Sequence, residues 1–452
     1  MVKVIHSIPI LPAVTFLKSF DLENQFSVEE IARQSGYYLQ EAKKIEAYPL
    51  IFGFFKMMQN GSNSLRLWAL QIGLAVGSTV SKSSVHDRLG PRTVDFVSGL
   101  LKRILSDRSN QLRQTKRATS GQKNLLEKFK NVYLGDSTCE KLPANLHKEF
   151  PSSYAHGKSV ATLRIQTIYN YTLERFERFV LGSFRENDQG AAGLILEVAR
   201  AGDLVLRDLG YLVLGNLQKM TQIGIFFISR LRLDINLYDP VLGTQIDLKV
   251  LFHGKNRVDM PVLIGAKEKI PVRMVAQKVP KDVFEQRKKK AREDRNKKTN
   301  HSEAYYDLLE WSIFVTNVPP EMLTVFEVIY IYGLRWFIEI IFKSWKSHFH
   351  FSRMLNRTQM NYWRVLITIY LILIQIAFWS MDIYQYIKNG VEKLTKNPIS
   401  ILKYFDILNA LIEQIAKIQS LKELDPFIPQ FAVHATYEKR KKRKNLKELH
   451  IT

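Results

Sequence analysis

The stretch Tyr332-Gly-Leu-Arg335-Trp-Phe-Ile-Glu339-Ile-Ile-Phe-Lys343-Ser-Trp-Lys346 lies in a proline-free run with helical periodicity. At about 100° per residue, its tyrosine, first arginine, glutamate and last lysine fall within an arc of about 60°, and Lys343 lies beside them. The sequence therefore predicts a helix with one charged stripe about 21 Å long. A stripe of that length can follow a nucleic-acid backbone.

An isolated Arg-x-x-x-Glu pattern is more often a surface ion pair than a functional site. The neighbours of Arg335 and Glu339 favour a site here, because apolar side chains cover much of the remaining helix surface: Ile338, Ile340, Ile341 and Phe342. A mostly buried helix that keeps a narrow charged stripe is typical of a binding or catalytic site.

The whole chain is long, apolar and strongly basic. It has 452 residues, 46% of them hydrophobic, and a formal net charge of +23. That length can bury a large core, and the charge favours nucleic acid or an anionic membrane surface as partner. Cys139 is the only cysteine, which excludes an internal disulfide and a cysteine-based zinc site and fits a reducing compartment.

One segment could instead indicate a membrane protein. Residues 365–381 are apolar except for Thr368, Gln375 and Ser380. A length of about 17 residues is the lower limit for a membrane-spanning helix. The sequence has no second such segment and is basic on both sides, so we expect a helix buried in the protein core.

Residues 1–125 are expected to form a helical region that binds DNA. Ser27 and Glu30 have the spacing of a capping box at the start of a helix. The residues that follow allow either a helix-turn-helix or a plain helical hairpin. Residues 80–89 predict a short basic helix suited to phosphate contact, and residues 102–117 resemble a linker.

The pattern changes to α/β over residues 126–232. Strands are predicted over 131–138, 162–171, 176–184, 203–211 and 225–230, and helices over 191–201 and up to about 223. Carboxylates end two of these strands, at Asp136 and Asp208, and Arg230 ends the last. Alternating strands and helices predict a layered sheet whose ligands gather at strand ends.

Residues 233–302 predict a β-rich insertion. Residues 245–250 and 272–277 alternate apolar and polar side chains, as a half-buried strand does. The insertion ends in the basic run 286–298, for which we expect a DNA contact.

Residues 303–350 return to the α/β pattern, with a buried strand over 310–317 before the opening helix. We therefore expect residues 126–232 and 303–350 to be two parts of one domain. Residues 351–452 are predicted to be helical and to close in a basic tail, 438–444, that is disordered without a partner.

Two strand-end aspartates and one helix glutamate suggest a carboxylate site for divalent metal: Asp136, Asp208 and Glu339. Mg²⁺ prefers hard oxygen ligands, and two ions can stabilise the attacking and leaving oxygens of a phosphoryl transfer. Residue type alone does not choose between Asp208 and Asp203, because aspartate is also common in turns. It equally leaves Glu140 as an alternative to Asp136.

The spacing Tyr332-x2-Arg335-x3-Glu339-x6-Lys346 resembles the Tyr-Arg-Glu-Lys signature of DDE transposases of the insertion sequence 4 family. This signature is the most specific motif in the chain. The resemblance covers roughly residues 25–380, where the order of the segments and the β-rich insertion also match.

Two further segments carry the resemblance. Arg207-Asp208-Leu-Gly-Tyr211 is similar to that family's Asp-x-Gly-Tyr/Phe segment around the second aspartate. Leu134-Gly-Asp136-Ser-Thr is similar to the stretch around the first. The motif around Asp136 is weak on its own, and its position in the order of segments supports it.

The resemblance implies a ribonuclease-H-like catalytic core, interrupted by the β-rich insertion and flanked by helical regions. It implies a metal-binding catalytic triad and so decides both alternatives above: Asp136, Asp208 and Glu339. It implies two Mg²⁺ ions, for which Mn²⁺ can substitute. It also implies side chains that contact DNA phosphates: Tyr332, Arg335 and Lys346. We expect two more basic side chains to extend this set: Lys343 and Arg230.

The implied activity is cut-and-paste DNA transposition. Metal-assisted hydrolysis frees a 3′-hydroxyl at the end of the element, and that hydroxyl attacks the other strand or target DNA. Excision through a hairpin intermediate is typical of relatives with this signature. The implied partner is double-stranded DNA, as terminal inverted repeats and as target, held by a synaptic homodimer. The implied location is the bacterial cytoplasm, in association with the nucleoid.

One feature departs from the family pattern. A well-understood relative uses a tryptophan of the inserted region to stack on a flipped base, and residues 233–302 contain no tryptophan. Phe252, Tyr238 or another aromatic residue could substitute. Two other functions stay open: a nuclease on the same core without transposition, and a sequence-specific DNA-binding protein without catalysis.

Overall fold

The structure is a computed structural model that describes residues 27–38, 45–59, 61–111, 123–152, 160–293, 302–355, 360–415 and 421–437. Several predicted features therefore lie partly or wholly outside the described residues. These are the beginning of the helical N-terminal region, 1–26, part of the segment after Gly36 in the helix-turn-helix alternative, 39–44, the end of the predicted linker, 112–117, the end of the basic run, 294–298, and the basic tail, 438–444.

The described strands form one nine-stranded sheet: β1 (Val132–Leu142), β2 (Ala161–Asn170), β3 (Arg175–Ser183), β4 (Leu204–Arg207), β5 (Phe226–Arg230), β6 (Leu237–Tyr238), β7 (Arg257–Ile264), β8 (Ile270–Lys278) and β9 (Trp311–Thr316). Their order across the sheet is β3-β2-β1-β4-β5-β9-β8-β7-β6. β2 and β3 are antiparallel neighbours, whereas β4 and β5 run parallel to β1. These five strands form a ribonuclease-H-like sheet, and the predicted fold class is confirmed.

The described helices surround this sheet: α1 (Val28–Gln34), α2 (Ala47–Gln59), α3 (Leu65–Val76), α4 (Lys82–Arg88), α5 (Pro91–Gln111), α6 (Lys123–Leu126), α7 (Leu214–Gln222), α8 (Leu248–Phe252), α9 (Lys281–Arg292), α10 (Glu303–Leu308), α11 (Val325–Tyr332), α12 (Trp336–His348), α13 (Phe351–Leu355), α14 (Tyr362–Phe378), α15 (Tyr384–Thr395), α16 (Ile401–Ile415) and α17 (Ile428–His434). Short 3-10 turns include Gly190–Glu197, Leu209–Tyr211 and Gly333–Arg335.

Both faces of the sheet are buried at its centre, where β4 lies. In β4, Leu204 and Leu206 belong to one apolar core, and Val205 belongs to the other. The first core also holds α11 to α14 and the N-terminal helices, and the second holds α7 and α8. Because successive strand residues point to opposite faces, a strand buried on both sides needs an unbroken apolar run, as β4 has.

The apolar segment that could have indicated a membrane protein is α14, and it lies inside the first core. Helices α2 and α5 pack against it. Its polar residues Thr368 and Gln375 are buried as well, and the amide of Asn63 donates to Thr368 Oγ1 at 3.5 Å. The predicted core helix is confirmed. In the described residues, no helix combines the length and the apolar character needed to cross a bilayer.

The register of β1 against β4 places two predicted site residues side by side. The parallel pairing runs from Val132 opposite Leu204 to Gly135 opposite Arg207. Asp136 and Asp208 are the next residue on each strand. β4 ends at Arg207 and Asp208 follows it directly, so this strand stops at its aspartate, but the strand predicted over 203–211 is wrong for Leu209–Tyr211, which form a 3-10 turn. β1 instead continues to Leu142 in antiparallel pairing with β2. The prediction that the first strand ends at its aspartate is therefore wrong, because β2 supplies backbone partners beyond the point where β4 stops.

The β-rich insertion extends the core sheet. Its strands β6, β7 and β8 join the sheet through β9. The predicted strand over 272–277 lies within β8. The one predicted over 245–250 is wrong, because Asp247 accepts a hydrogen bond from Lys249 N at 2.8 Å and caps the short helix α8.

Four local predictions outside the sheet have mixed outcomes. Ser27 caps α1 by accepting from Glu30 N at 3.4 Å, and Ser81 caps the predicted short basic helix, α4, so both helix starts are confirmed. The predicted linker 102–117 is wrong as far as Gln111, because α5 runs through it and buries Ile104 and Leu105. The α-helix predicted over 191–201 is wrong, because the 3-10 turn Gly190–Glu197 occupies its first part; that turn contains two glycines, Gly190 and Gly193, which disfavour the α-helix.

The register makes Gly135 a sensitive position. A Cβ at Gly135 would lie 2.6 Å from Arg207 Nε, and the Arg207 guanidinium is held by the carbonyl oxygen of Ala192 at 2.6 Å. We predict that Gly135→Ala lowers the free energy of unfolding by about 1–3 kcal/mol, because the buried arginine has to shift. Urea unfolding measures this.

Gly215→Ala is the matched control. Gly215 lies in α7, and a Cβ there meets nothing within 4 Å. Alanine at this position should raise the free energy of unfolding by about 0.5–1 kcal/mol. Equal effects of the two substitutions would contradict the close packing of Arg207 on β1.

Candidate active site

The charged stretch is positioned by two helices and a tight turn between them. A capping box formed by Thr324 and Glu327 opens α11. The single helix predicted through the stretch 332–346 is interrupted by the 3-10 turn Gly333–Arg335, after which α12 begins at Trp336. Glycine is a poor helix former, and the tighter turn changes the direction of the side chains around it.

Arg335 lies between three carboxylates. Its Nη1 donates to Asp136 Oδ2 at 3.1 Å, and its Nη2 donates to Glu339 Oε1 at 2.6 Å. Its Nε lies 3.9 Å from Asp208 Oδ1, which is an ion pair without a close hydrogen bond. The residues from β1, the end of β4 and α12 that the sequence singled out therefore meet at one guanidinium.

The site is partly open to solvent. The side chain of Arg335 is 13% exposed and that of Asp136 is 17% exposed, whereas Glu339 and Asp208 reach 33% and 49%. The two more exposed carboxylates thus lie on the open side of the guanidinium.

Electrostatics of the site follow from this crowding. Burial raises the pKa of Asp136 to about 6, although the backbone N–H of Ser137 and the charge of Arg335 oppose the rise. Burial alone would lower the pKa of Arg335, but the charge of Asp208 and other neighbours raises it above its ordinary value. The arginine therefore stays a cation.

The two alternative carboxylates have other contacts. Asp203 accepts from Asn131 Nδ2 at 2.9 Å and from Arg200 N at 2.7 Å, so it joins backbone segments at the start of β4. Glu140 accepts from Ser352 Oγ at 2.6 Å. Neither has a described contact with Arg335.

The predicted DNA-contacting side chains do not form one open stripe. Tyr332 is buried and its hydroxyl donates to the carbonyl oxygen of Arg207 at 3.2 Å. Lys346 Nζ lies 3.3 Å from Glu140 Oε1, and the side chain of Lys346 is 47% exposed. Lys343 is exposed on α12, and Arg230 is half-buried at the end of β5. The four side chains therefore differ in burial and in the elements that carry them.

The aromatic residues of the insertion are engaged elsewhere. Phe252 is 6% exposed and stacks on Trp311 with ring centroids 4.2 Å apart. The ammonium of Lys269 lies over the ring of Tyr238. Phe252 is therefore not available to stack on a base, and one face of the Tyr238 ring is covered.

Sequence reasoning missed Trp336, the residue after Arg335. Its side chain is 52% exposed, which is unusual for tryptophan. Trp336 precedes Glu339 by three residues and Lys343 by seven, so the three share one face of α12. The helical spacing was the signal that could have found it.

Sequence reasoning also missed a fourth acid, Asp188. Its Oδ1 accepts from Ser137 Oγ and Arg164 Nη1, each at 2.8 Å, and from Gln166 Nε2 at 3.0 Å. Burial raises the pKa of Asp188, but the hydrogen bonds from these donors outweigh it and hold the pKa below its ordinary value. Polar residues at buried positions of β2 were the available signal.

The three carboxylates at Arg335 are ligands of the type that a hard divalent cation binds. Three carboxylates from separate elements already converge on one positive group, and oxygen is the ligand that Mg²⁺ prefers. Within the described ranges, no three acidic, histidine or cysteine side chains are arranged to hold a metal ion as they stand. A cation at this place would have to share the carboxylates with Arg335.

Comparisons with known proteins show what the chain is similar to. Residues 127–374, more than half of the chain, match the family described as the transposase DDE domain. The transposase for insertion sequence element IS231B of Bacillus thuringiensis subsp. berliner is 28% identical over 353 residues, which cover 74% of this chain and 72% of the relative. The transposase for insertion sequence element IS1151 of Clostridium perfringens is 24% identical over 356 residues, with 74% and 73% covered.

Among solved structures, the chain is similar to the piggyBac transposase in a synaptic complex with hairpin DNA. The TM-score is 0.44 at 10% sequence identity, and the match covers 98% of this chain and 89% of the other.

The charge balance at Arg335 can be tested by itself. We predict that Arg335→Met lowers the free energy of unfolding by about 1–3 kcal/mol in buffer with a chelator, because partly buried carboxylates lose their donor. Urea unfolding measures the loss.

Arg232→Met is the control, since Arg232 also pairs with a carboxylate, Asp234, whose side chain is 69% exposed. Loss of that surface pair should cost less than about 1 kcal/mol. A loss at Arg335 no larger than at Arg232 would show that the guanidinium does not balance the three acids.

Proposed function

Because this chain belongs to the transposase DDE domain family, we propose that it catalyses cut-and-paste transposition of an insertion sequence of the insertion sequence 4 type. The coarser function follows from the family: it is an enzyme that acts on DNA, and such transposases generally require a divalent metal ion. The finer proposal concerns the residues, the ions and the course of the reaction.

The observation that carries the proposal is the convergence of Asp136, Asp208 and Glu339 on one guanidinium. We assign these three as the catalytic triad. Their chemistry and their origin on β1, β4 and α12 support the assignment, as does the separate engagement of Asp203 and Glu140 in other contacts.

Asp136, Asp208 and Glu339 would hold two Mg²⁺ ions, with Mn²⁺ as a substitute. When bound, such ions activate water and neutralise charge on the transferring phosphate. Arg335 offers a planar guanidinium suited to two phosphate oxygens, and it can exchange its carboxylate partners for a DNA phosphate. Hydrolysis then frees the 3′-hydroxyl at the element's end, and that hydroxyl attacks the next strand.

Exposed cations around the site support contact with the DNA backbone. Lys343 and Lys346 are exposed on α12. Helix α9 contains the first part of the predicted basic run, residues 286–292, and none of its residues is buried. Arg287 joins the helix to β9, because its Nη1 donates to the carbonyl oxygen of Trp311 at 3.0 Å. A rigid basic helix of this kind suits phosphate contacts that weaken with salt.

Trp336 is proposed as the aromatic residue that stacks on a base at the processed end. Its exposure and its place beside Glu339 support this role. Such stacking would serve a hairpin intermediate, in which a base leaves the duplex. A synaptic homodimer, which brings two DNA ends together, belongs to the same proposal.

The first prediction from this proposed function concerns Glu339→Gln. This substitution removes a charge and keeps the side-chain shape. With Mg²⁺ or Mn²⁺ and linear DNA that carries the element's own ends, wild type should cleave at the ends. The variant should bind these ends normally and cleave at least about 100-fold more slowly. Gel analysis of the products also shows whether hairpins form.

Glu149→Gln is the matched control, because Glu149 is exposed and lies outside the site. It should cleave as wild type does. Wild-type cleavage by Glu339→Gln would remove Glu339 from the triad. Binding without cleavage by every protein, wild type included, would favour the DNA-binding protein without catalysis.

A second prediction concerns Trp336. Trp336→Ala should weaken binding to a DNA end with an unpaired terminal base by about 10-fold, because one stacked base contributes about 1–3 kcal/mol. Trp336→Phe should retain most of the affinity, and fully paired DNA should bind both variants alike. Fluorescence anisotropy measures these affinities, and equal affinity of Trp336→Ala and wild type for the unpaired end would contradict the stacking role.

A further inference from the structure

The residues next to the two site aspartates point to the opposite face of the sheet from the aspartates themselves. Asp136 lies between Gly135 and Ser137 on β1, and successive strand residues alternate between faces. Arg207 precedes Asp208 in the same way on β4. Asp136 and Asp208 face Arg335, so Ser137 and Arg207 face away from it.

On that opposite face, Asp188 gathers donors from two strands. Its Oδ1 accepts from Ser137 Oγ of β1 and from Arg164 Nη1 and Gln166 Nε2 of β2. Arg164 also donates to Ser137 Oγ at 3.1 Å. Asp188 itself lies after β3, at the start of the loop to β4. One carboxylate oxygen thus fixes the residue that follows Asp136.

The same carboxylate is tied to the segment that follows Asp208. The hydroxyl of Tyr211 donates to Gln166 Oε1, and Gln166 in turn donates to Asp188. The guanidinium of Arg207 lies over the Tyr211 ring, 4.5 Å from its centroid. A Cβ at Gly210 would lie 3.1 Å from Asp188 Oδ2, so the turn after Asp208 passes directly beneath this carboxylate.

We propose that Asp188 is a positioning residue that fixes the separation of Asp136 and Asp208 from the back of the sheet. This inference rests on the proposed function, since it assumes that the two aspartates hold metal. Asp188 acts on Asp136 through Ser137 of β1, and on Asp208 through Gln166 of β2 and Tyr211 in the turn after β4. β1 and β4 stop pairing at Gly135 and Arg207, so no backbone pairing between these two strands fixes the separation of the aspartates, although Asp136 itself stays paired with Thr167 of β2.

A ligand role for Asp188 fits the geometry less well. Its Oδ1 already accepts three hydrogen bonds from side chains of the opposite face. Groups that orient metal ligands typically change metal affinity or activity by about 10- to 100-fold when removed, whereas loss of a ligand abolishes the site. The two roles therefore predict different results.

The test uses the full-length protein with Asp188→Leu, which removes the acceptor, and Asp188→Asn, which keeps one acceptor oxygen. For Asp188→Leu we expect the Mn²⁺ concentration for half-maximal end cleavage to rise by about 10- to 100-fold. Affinity for the DNA end should change less than twofold, and Asp188→Asn should recover part of the loss. The rise in melting temperature on adding Mn²⁺ without DNA should also require more Mn²⁺, which gives a readout independent of activity.

Asp234→Leu is the control, since Asp234 also pairs with an arginine but lies on the surface. It should leave the Mn²⁺ requirement unchanged. Ser137→Ala and Tyr211→Phe keep the test decisive if Asp188→Leu does not fold. Each breaks one end of the network, so their effects on the Mn²⁺ requirement should be non-additive in the double variant.

Three results would overturn the inference. The first is a wild-type Mn²⁺ requirement in Asp188→Leu, and the second is additive effects of Ser137→Ala and Tyr211→Phe. The third is complete loss of Mn²⁺ binding in Asp188→Leu, equal to that of Asp208→Asn, which would make Asp188 a ligand. Glu339→Gln measured in parallel separates these results from failure of the proposed function, because wild-type cleavage by that variant removes the triad whatever Asp188 does.

Discussion

Three carboxylates brought close together in a partly buried place repel one another unless a cation lies between them. In this structure the guanidinium of Arg335 supplies that charge, with contacts to Asp136 and Glu339 and an ion pair to Asp208. The parallel register of β1 and β4 sets the two aspartates side by side, and the turn Gly333–Arg335 directs the arginine towards them. The remaining sheet and both apolar cores keep these elements in place.

The same electrostatic balance connects stability with function. Carboxylates that are stabilised by a neighbouring cation in the folded protein can also bind a metal ion. An arginine that can leave these carboxylates can bind a phosphate instead. The back of the sheet carries a second, hydrogen-bonded network around Asp188, which involves the neighbours of the aspartates and not the aspartates themselves. Charge on one face and hydrogen bonds on the other thus act on the same two strands.

Much of the fold was readable from the sequence, because apolar runs such as Leu204–Leu206 predict buried strands wherever they fall. The pairing of strands was not readable, since register depends on contacts between distant segments. That is why β1 was expected to end at Asp136, although β2 pairs with it as far as Leu142. The helix α8 was missed because its cap at Asp247 outweighs an alternating pattern. Spacing and family resemblance pointed to the residues around Arg335, but a helical wheel placed Tyr332 on the charged stripe. Tyr332 is buried because it shares the apolar face of α11 with Val328, four residues earlier, and because its ring packs on Phe314.

We propose that the three carboxylates around Arg335 are the metal-binding centre of a DNA-cleaving enzyme. The most direct test is an anomalous-scattering map from crystals of this protein grown with manganese and a DNA end. We predict manganese peaks within coordination distance of Asp136, Asp208 and Glu339, with the Arg335 guanidinium turned from these carboxylates to a DNA phosphate. Manganese bound elsewhere, with Arg335 still between the three carboxylates, would contradict the claim.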